Sequence, residues 1–520
     1  MDRPLMVDRA RDHAAPWDFV IIGGGATGVG TAVDAASRGY DVLLLEQNDF
    51  GKGTSSRSTK LVHGGVRYLQ QGNVPLVMEA LHERGLLLQN APHLVRDLAF
   101  VVPNYLWWEA PFYGIGMRVY DMLAGKHGFG RSKTLTTEEV LQRIPTLEQD
   151  GLRGGVLYHD GQFDDSRLLI DLASTAAEKG ACLINYAQVI RLAKDTGGYV
   201  DGVTVRDMES GNDLTVKARC VINATGAFCD GVRRMDDPSI APMIAPSQGV
   251  HIVLDRRFLG GDTAIMVPRT RDARVMFAIP WHDHAVVGTT DTPVTEASLE
   301  PWPLSEEIDF ILETASSYLS EQPSRSDILS VFAGIRPLVK AGDVGNTSAL
   351  SREHTIQISR SGLLTIAGGK WTTYRRMAED CVNHAATLAG LDDQPCVTRD
   401  LRIHGYHRSA SQFGPLADYG EDALVIAGLI EGRPELGAVL DTALPICAAQ
   451  VYWAVRHEMA RTVDDVLARR TRALSLNARA AMRMAPAVAR LMAAELGRDD
   501  AWQQLQVAEF NSIAERYLPA

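Results

Sequence analysis

Residues 17 to 46 constrain this chain more than any other stretch. Phe19-Val20-Ile21-Ile22 is a continuous apolar run that stops at glycine. A run without polar alternation suits a parallel strand buried on both faces. Gly23-x-Gly25-x-x-Gly28 follows. The small, apolar stretch from Ala26 to Ser37 ends at Arg38-Gly39 and reads as a helix closed by a C-terminal glycine. Val42-Leu43-Leu44-Leu45 is a second buried strand, and Glu46 ends it. Strand, glycines, helix, strand and acid form a βαβ unit of the length that binds a dinucleotide. Gly23 allows the tight turn, Gly25 lets the backbone approach a pyrophosphate, and Gly28 lets the helix sit close to the strand. The helix N-terminus offers unpaired N–H groups to the phosphates. Glu46 is placed to accept from the adenosine ribose hydroxyls. An acid at 46 argues against a 2′-phosphate and leaves NAD and FAD both open.

The chain has 520 residues, which at ~150 residues per domain allows roughly three domains. It is 46% hydrophobic and 22% charged, an ordinary globular balance that excludes disordered and fibrous classes. The net charge of −12 gives it no electrostatic reason to grip nucleic acid. Its six cysteines form no CxxC pair and are far apart, so neither a metal site nor a disulfide framework is expected, and a reducing compartment is. The N-terminal residues 1–16 are charged and lack the apolar core of a secretory signal, and read as a short mobile extension. No run of 18 apolar residues is present to span a bilayer.

Further along, helices are expected near 74–90, 165–180, 306–319 and 373–389, and from 421 onward. Strands joined by turns are expected at 182–190 and 199–223, and antiparallel sheet across 250–290. Residues 388–415 are rich in turn formers and read as a linker.

Two further junctions favour FAD. Val221-Ile222-Asn223-Ala224-Thr225-Gly226 is a strand end of the kind that lies near the cofactor in two-dinucleotide-fold flavoproteins. Leu363 to Ala367 is a buried strand running into Gly368-Gly369-Lys370 and a helix. That helix N-terminus is suited to support negative charge on a reduced flavin. The string Gly53-Thr54-Ser55-Ser56-Arg57-Ser58-Thr59-Lys60-Leu61-Val62-His63-Gly64-Gly65-Val66-Arg67-Tyr68-Leu69 resembles the flavin-contact signature of the aerobic, FAD-dependent, quinone-linked glycerol-3-phosphate dehydrogenases. Ala333-Gly334-Ile335-Arg336-Pro337-Leu338, Gly288-Thr289-Thr290-Asp291 and Gly368-Gly369-Lys370-Trp371-Thr372-Thr373-Tyr374-Arg375 are similar to further strings of that family. Glu458 to Arg472 resembles its helical domain. The resemblance runs in order from about residue 17 to 500, and Trp371 places it nearer the mitochondrial-type branch.

The resemblance implies an α/β fold of the two-dinucleotide-binding, Rossmann-like type found in glycine oxidase and D-amino acid oxidase. A discontinuous FAD domain would take 17–90, 151–245 and 331–387. An antiparallel-sheet substrate domain would take 91–150 and 246–330, and a C-terminal helical domain 416–520. It implies oxidation of sn-glycerol 3-phosphate to dihydroxyacetone phosphate, with a hydride passing from C2 to flavin N5. It places Thr54, Ser55, Ser56, Lys60, Leu61, His63, Gly64, Ala224, Thr225, Gly226, Gly368, Gly369, Lys370, Thr372 and Thr373 at the cofactor, beside Gly23, Gly25, Gly28 and Glu46. Arg336 is the expected phosphate ligand, followed by Arg67, Lys370 and Arg352, because arginine suits bidentate phosphate binding. His63, His251 and Lys370 are the candidates for the base that takes the hydroxyl proton.

A quinone acceptor implies a peripheral enzyme on the cytoplasmic face of the inner membrane. Tyr105, Trp107, Trp108, Phe112 and Tyr113 crowd five aromatics into nine positions, a composition that suits a membrane interface. Residues 451–498 carry nine Arg against four acids, which suits either a lipid-facing surface or salt bridges to the acidic FAD domain or across a dimer. Three alternatives stay open: an α-glycerophosphate oxidase that uses O₂, a dehydrogenase of another polyol phosphate such as a tetritol phosphate, and a flavin-binding protein without turnover. A homodimer is also left open.

Overall fold

The apolar run Trp17–Ile22 lies between two parallel neighbours, Val42–Leu45 and Asp213–Asn223, and Phe19, Val20 and Ile21 are wholly buried. The continuous run thus serves a strand covered on both faces, as its composition required. In the computed structural model all residues are described except 66–68, 70, 71, 126, 127, 269, 272, 273, 341–352 and 520. The first sheet runs His354–Ile358, Leu364–Gly368, Asp213–Asn223, Trp17–Ile22, Val42–Leu45, Cys182–Ile184. Its central pairs are parallel, and an antiparallel meander of Ala187–Lys194 and Val200–Asp207 extends from Asp213–Asn223. The helices Ala26–Ser37, Asp165–Glu178 and Tyr374–Leu388 share one apolar core with this sheet. The carboxyl ends of its parallel strands carry the glycine turns, the place where open α/β sheets bind ligands.

A second sheet of ten strands stands beside the first. It is almost wholly antiparallel, with one parallel pair between Ala264–Val267 and Val95–Pro103. Here the expected domain limits shift. Gly155–Phe163 and Ser330–Val339, assigned above to the cofactor domain, both hydrogen-bond into this second sheet, against Val95–Pro103 and Ile244–Asp255. Leu61–Val62 joins it as an edge strand. A buried apolar strand looks alike in either sheet, so only its pairing decides where it belongs.

Two segments read as loose are docked. Residues 3–12 form a helix with Pro4 in its first turn and Asp2 capping Leu5 N–H. Its Arg3 is buried and donates to the Asn185 carbonyl and to Asp207. Within 388–415, Asn90 donates to the carbonyls of Thr398 and Arg399, and Ile403 N–H donates to the Asn90 carbonyl. His404 then bridges Glu178 of the cofactor side and Asp422 of the C-terminal domain at 2.5 and 2.8 Å. Burial alone would lower its pKa, but the two carboxylates outweigh it and hold it near about 10.

The C-terminal domain is helical, with a small hairpin at Val439–Asp441 and Leu444–Cys447. Its arginines do not form a basic face. Arg469 and Arg470 are buried on Asp49 beside the glycine cleft, at 2.5 and 2.6 Å. Arg472 is buried on Asp164, and Arg461 pairs with Glu209. Arg456 and Arg483, half exposed, pair with Glu495 and Asp441. Arg461, Arg469, Arg470 and Arg472 thus neutralise acids of the neighbouring domains, while Arg479 and Arg490 remain exposed.

The aromatic segment behaves in the opposite way. Residues 109–124 form a helix that buries Tyr113, Met117, Tyr120 and Ala124. These recur at intervals of three and four, one face of a helix. Trp107 is 79% exposed and Met122 76%, and Phe112 and Ile115 face outward with them. No helix among the described residues is long and apolar enough to cross a membrane.

Candidate active site

Three cavities open in series along the junction of the two sheets. The first, about 330 Å³, starts at Ile22, Gly23 and Gly25 and passes Glu46, Thr54 and Ser55. It runs by Ala224, Thr225 and Gly226 to Gly368, Gly369 and Lys370. The second shares Thr54 and Gly368 to Trp371 with it and adds Leu61, His63, His251, Arg336 and Thr372. The third shares Thr59, Leu61, His63 and Arg336 with the second and is walled by Phe100, Tyr158, Met266, Arg274 and Phe277.

The first cavity fits the long, phosphate-bridged shape of a dinucleotide. Gly23 has φ +113°, and a Cβ there would stand 2.7 Å from the Ala224 carbonyl oxygen. A Cβ at Gly28 would collide with the Gly23 carbonyl oxygen, so only glycine lets this helix lie on the strand. Ser55 comes from the next loop to the helix N-terminus, where its hydroxyl accepts from Ala26 N–H at 2.9 Å. Glu46 Oε2 accepts from Gly24 N–H and Oε1 from Asn48 N–H. Each oxygen keeps a lone pair for a sugar hydroxyl. Burial raises the Glu46 pKa, and the two amides oppose that rise. Trp371 donates its indole N–H to the Ser55 carbonyl at 2.9 Å, which ties the Gly-Gly-Lys turn to the Thr54–Ser56 loop.

The cations converge on the second and third cavities. Ser247 pairs in register with Arg336, and Gly249 pairs with Gly334. A Cβ at Gly249 would sit 2.5 Å from the Arg336 guanidinium, so the absent side chain makes the room that arginine occupies. Arg336 donates to the Thr290 carbonyl, Asp291 and the Thr289 hydroxyl at 2.9, 3.2 and 3.1 Å. The Gly288–Asp291 string therefore aims the arginine. His251 is buried, stacked on Phe332, and shares a 2.9 Å hydrogen bond between Nε2 and the Thr59 hydroxyl. Burial, then Arg336 and Lys60, push its pKa well below the usual histidine range, so it is neutral.

Most expected site residues line these cavities, but five do not. Gly28 acts through packing. Gly64 is turned towards Tyr120, whose hydroxyl accepts from its N–H. Ser56 and Thr373 are buried behind the wall. Lys60 corrects the expectation most clearly. Its ammonium is fully buried, donating to Asp165 at 2.7 and 2.9 Å and to the Ser56 carbonyl. It locks the loop rather than touching a cofactor, because a buried lysine needs its counter-charge. Arg67 and Arg352 lie outside the described residues. Arg274 was missed altogether, since nothing local in its sequence marks it. Gln188 and Val189, on the meander strand, also line the first cavity without a sequence signal. Asp164, His282 and Asp418 bring ligand atoms within 4.8 Å, but Arg472 already sits on Asp164 and Asp418.

A glycine-lined cleft at the carboxyl ends of parallel strands, opening into a cation-walled chamber on a second sheet, defines an FAD-dependent oxidoreductase. The comparisons agree. Residues 18–375 match the family model described as FAD dependent oxidoreductase, and 364–503 match the C-terminal domain of alpha-glycerophosphate oxidase. The mitochondrial glycerol-3-phosphate dehydrogenase of Rattus norvegicus is 41% identical, over 97% of this chain and 74% of its own. The solved glycerol-3-phosphate dehydrogenase of Bacillus halodurans, complexed with FAD, superposes with a TM-score of 0.81 at 29% identity, covering 99% of this chain and 98% of that one. Glycine oxidase from Geobacillus kaustophilus, at 20% identity and a TM-score of 0.53 over 75% of this chain and 98% of its own, shares the fold. The chain belongs to the FAD-dependent glycerol-3-phosphate dehydrogenase family.

Proposed function

We propose that this enzyme oxidises the C2 alcohol of sn-glycerol 3-phosphate to dihydroxyacetone phosphate and passes the electrons to a membrane quinone. The observation that supports this most is the cluster of Arg336, Arg274 and Lys370 around chambers that open from the glycine cleft. A small polyol phosphate needs fixed cations at one end, and a guanidinium offers two parallel N–H groups to phosphate oxygens. Arg336, already aimed by Asp291 and Thr289, is our phosphate ligand, with Lys370 lining the inner chamber and Arg274 the outer one.

Gly23, Gly25 and the helix they open would hold the pyrophosphate of FAD, and Glu46 its ribose. Thr54, Ser55, Leu61, His63, Gly368, Gly369 and Thr372 would meet its ring. Bound FAD supplies the acceptor for the two electrons that leave the alcohol. The hydroxyl proton needs a base within hydrogen-bond reach. We assign that role to His63, the histidine that lines both the inner and the outer chamber. His251 instead orients the Thr59 hydroxyl, since its ring is sequestered and its basicity depressed. His63→Asn should slow anaerobic flavin reduction by about 10²–10⁴-fold, the usual worth of a general base.

Membrane attachment is supported by the outward face of the 109–124 helix, where Phe112, Ile115 and Met122 are exposed, and by the exposed Trp107 just before it. The six cysteines are all unpaired, in keeping with the cytoplasmic face of that membrane. The test is anaerobic mixing of the yellow protein with sn-glycerol 3-phosphate while flavin absorbance is followed. Bleaching, then fast reoxidation by a soluble quinone and slow reoxidation by air, supports the dehydrogenase. Fast reoxidation by air overturns the quinone assignment in favour of an oxidase. A yellow protein that bleaches only with a tetritol phosphate overturns the substrate.

A further inference from the structure

The loop that carries His63 is held by groups to which the proposed reaction gives no role, one of which, Asp160, also lines the outer chamber. Tyr120, on the buried face of the 109–124 helix, accepts from Gly64 N–H at 2.8 Å and donates to Asp160 Oδ2 at 2.8 Å. Asp160 Oδ1 accepts from Arg84 Nη1 at 2.6 Å and from Gly161 N–H at 3.1 Å. Arg84 in turn lies over the Phe129 ring, 4.2 Å from its centroid. All three polar side chains are nearly or wholly excluded from solvent. They come from three different elements, the 74–90 helix, the 109–124 helix and the strand Gly155–Phe163. A Cβ at Gly64 would collide with the Tyr120 hydroxyl and Leu81, so the loop is pressed directly onto this group. On the cavity side, His63 N–H donates to the Thr372 hydroxyl at 3.2 Å. The two-residue turn is thus clamped between Thr372 in front and Tyr120 behind.

We propose that Tyr120 is a positioning residue: its hydroxyl, oriented by Asp160 and Arg84, fixes the His63–Gly64 turn against the flavin-side chamber. This rests on the functional reading above, since it takes His63 as a group facing substrate. Burial and then Asp160 hold the Tyr120 pKa well above the usual tyrosine range, so the hydroxyl keeps the proton it donates to Asp160. Burial would lower the Arg84 pKa, but Asp160 raises it, so the guanidinium stays charged. A hydrogen-bond chain with a fixed proton and a fixed charge has one favoured geometry. A displacement near 1 Å at the reacting group is enough to cost about 10²-fold in rate. The same helix carries the exposed Phe112, Ile115 and Met122, so the surface proposed to meet lipid and the clamp on the turn belong to one rigid element.

The test compares FAD-loaded wild type with Tyr120→Phe, which keeps the ring and removes the hydroxyl. Met117→Leu, one turn away on the same buried face, serves as the packing control. Each is mixed anaerobically with sn-glycerol 3-phosphate, and the visible flavin spectrum, the limiting reduction rate and the half-saturating concentration are read. The expected result for Tyr120→Phe is a limiting rate at least tenfold lower, a half-saturating concentration within about threefold of wild type, and a shifted flavin spectrum. Met117→Leu should keep wild-type rate and spectrum. Tyr120→Phe that reduces at the wild-type rate with an unchanged spectrum overturns the proposal, as does Met117→Leu slowed to the same degree. Should Tyr120→Phe fail to load FAD, Asp160→Asn, which leaves the hydroxyl on Gly64 but loosens its orientation, must slow the limiting rate or the proposal falls. A wild type that never bleaches defeats the functional reading instead, and Tyr120 is then judged by the flavin spectrum alone.

Discussion

Residues 105–124 and 451–498 looked alike in one respect, since each had a composition suited to a membrane surface. In the folded protein they part company. The aromatic helix leaves Trp107, Phe112, Ile115 and Met122 outside, while the C-terminal segment turns Arg469, Arg470 and Arg472 inward. Several large apolar side chains exposed near one another are informative where a single one would not be. A local excess of arginine says nothing until the acids it faces are known. Asp49 sits more than four hundred residues before Arg469 and Arg470, and it binds both, sharing Arg469 with Asp464 and Asp465.

The sharpest way to break this contrast is Asp49→Ala. It leaves two buried guanidiniums without their shared carboxylate and should cost roughly 3–5 kcal/mol, read by chemical unfolding of the holoenzyme. A loss below about 1 kcal/mol would mean the buried pairs are not what holds the C-terminal domain to the cofactor side. Replacing Trp107 and Trp108 by Ser should leave stability within about 0.5 kcal/mol, as for other exposed positions. It should move most of the protein from the membrane to the soluble fraction, and an unchanged distribution would sink the lipid-facing assignment.

The His404 bridge is a milder probe of the same interface. A histidine whose folded pKa is raised stabilises the protein fully below about 6.5 and loses that contribution as pH climbs through about 10. The wild type should therefore lose melting temperature between pH 7 and 10 relative to His404→Gln, and parallel curves would refute the bridge. The smallest effect belongs to Arg483→Gln. Its exposed pair with Asp441 should be worth no more than about 1 kcal/mol, with membrane partition unchanged. A loss of membrane binding in that variant would restore the basic face.

Much of the site was legible in the linear chain. Glycine positions are readable because their reasons are local: a positive φ at Gly23, a helix lying on its strand at Gly28. Arg336 was legible through the string around it, and the structure adds why, since Asp291, Thr289 and the missing Cβ of Gly249 hold it. Lys60 was misread because its string is cofactor-like while its ammonium belongs to Asp165, a partner 105 residues away. Arg274 and Tyr120 were not read as site residues. Each matters only because a distant strand or loop comes to it.

Sequence alone determined the elements whose causes act over a few residues: the βαβ unit, the glycine turns, the acid at 46, the helix periods and the family strings. Tertiary structure decided which sheet received Gly155–Phe163 and Ser330–Val339, which cations reached the chamber and which arginines were buried. Hydrogen-bonding strands and neutralising a buried charge both require a second segment, and the identity of that segment is set by the fold as a whole rather than by neighbours along the chain.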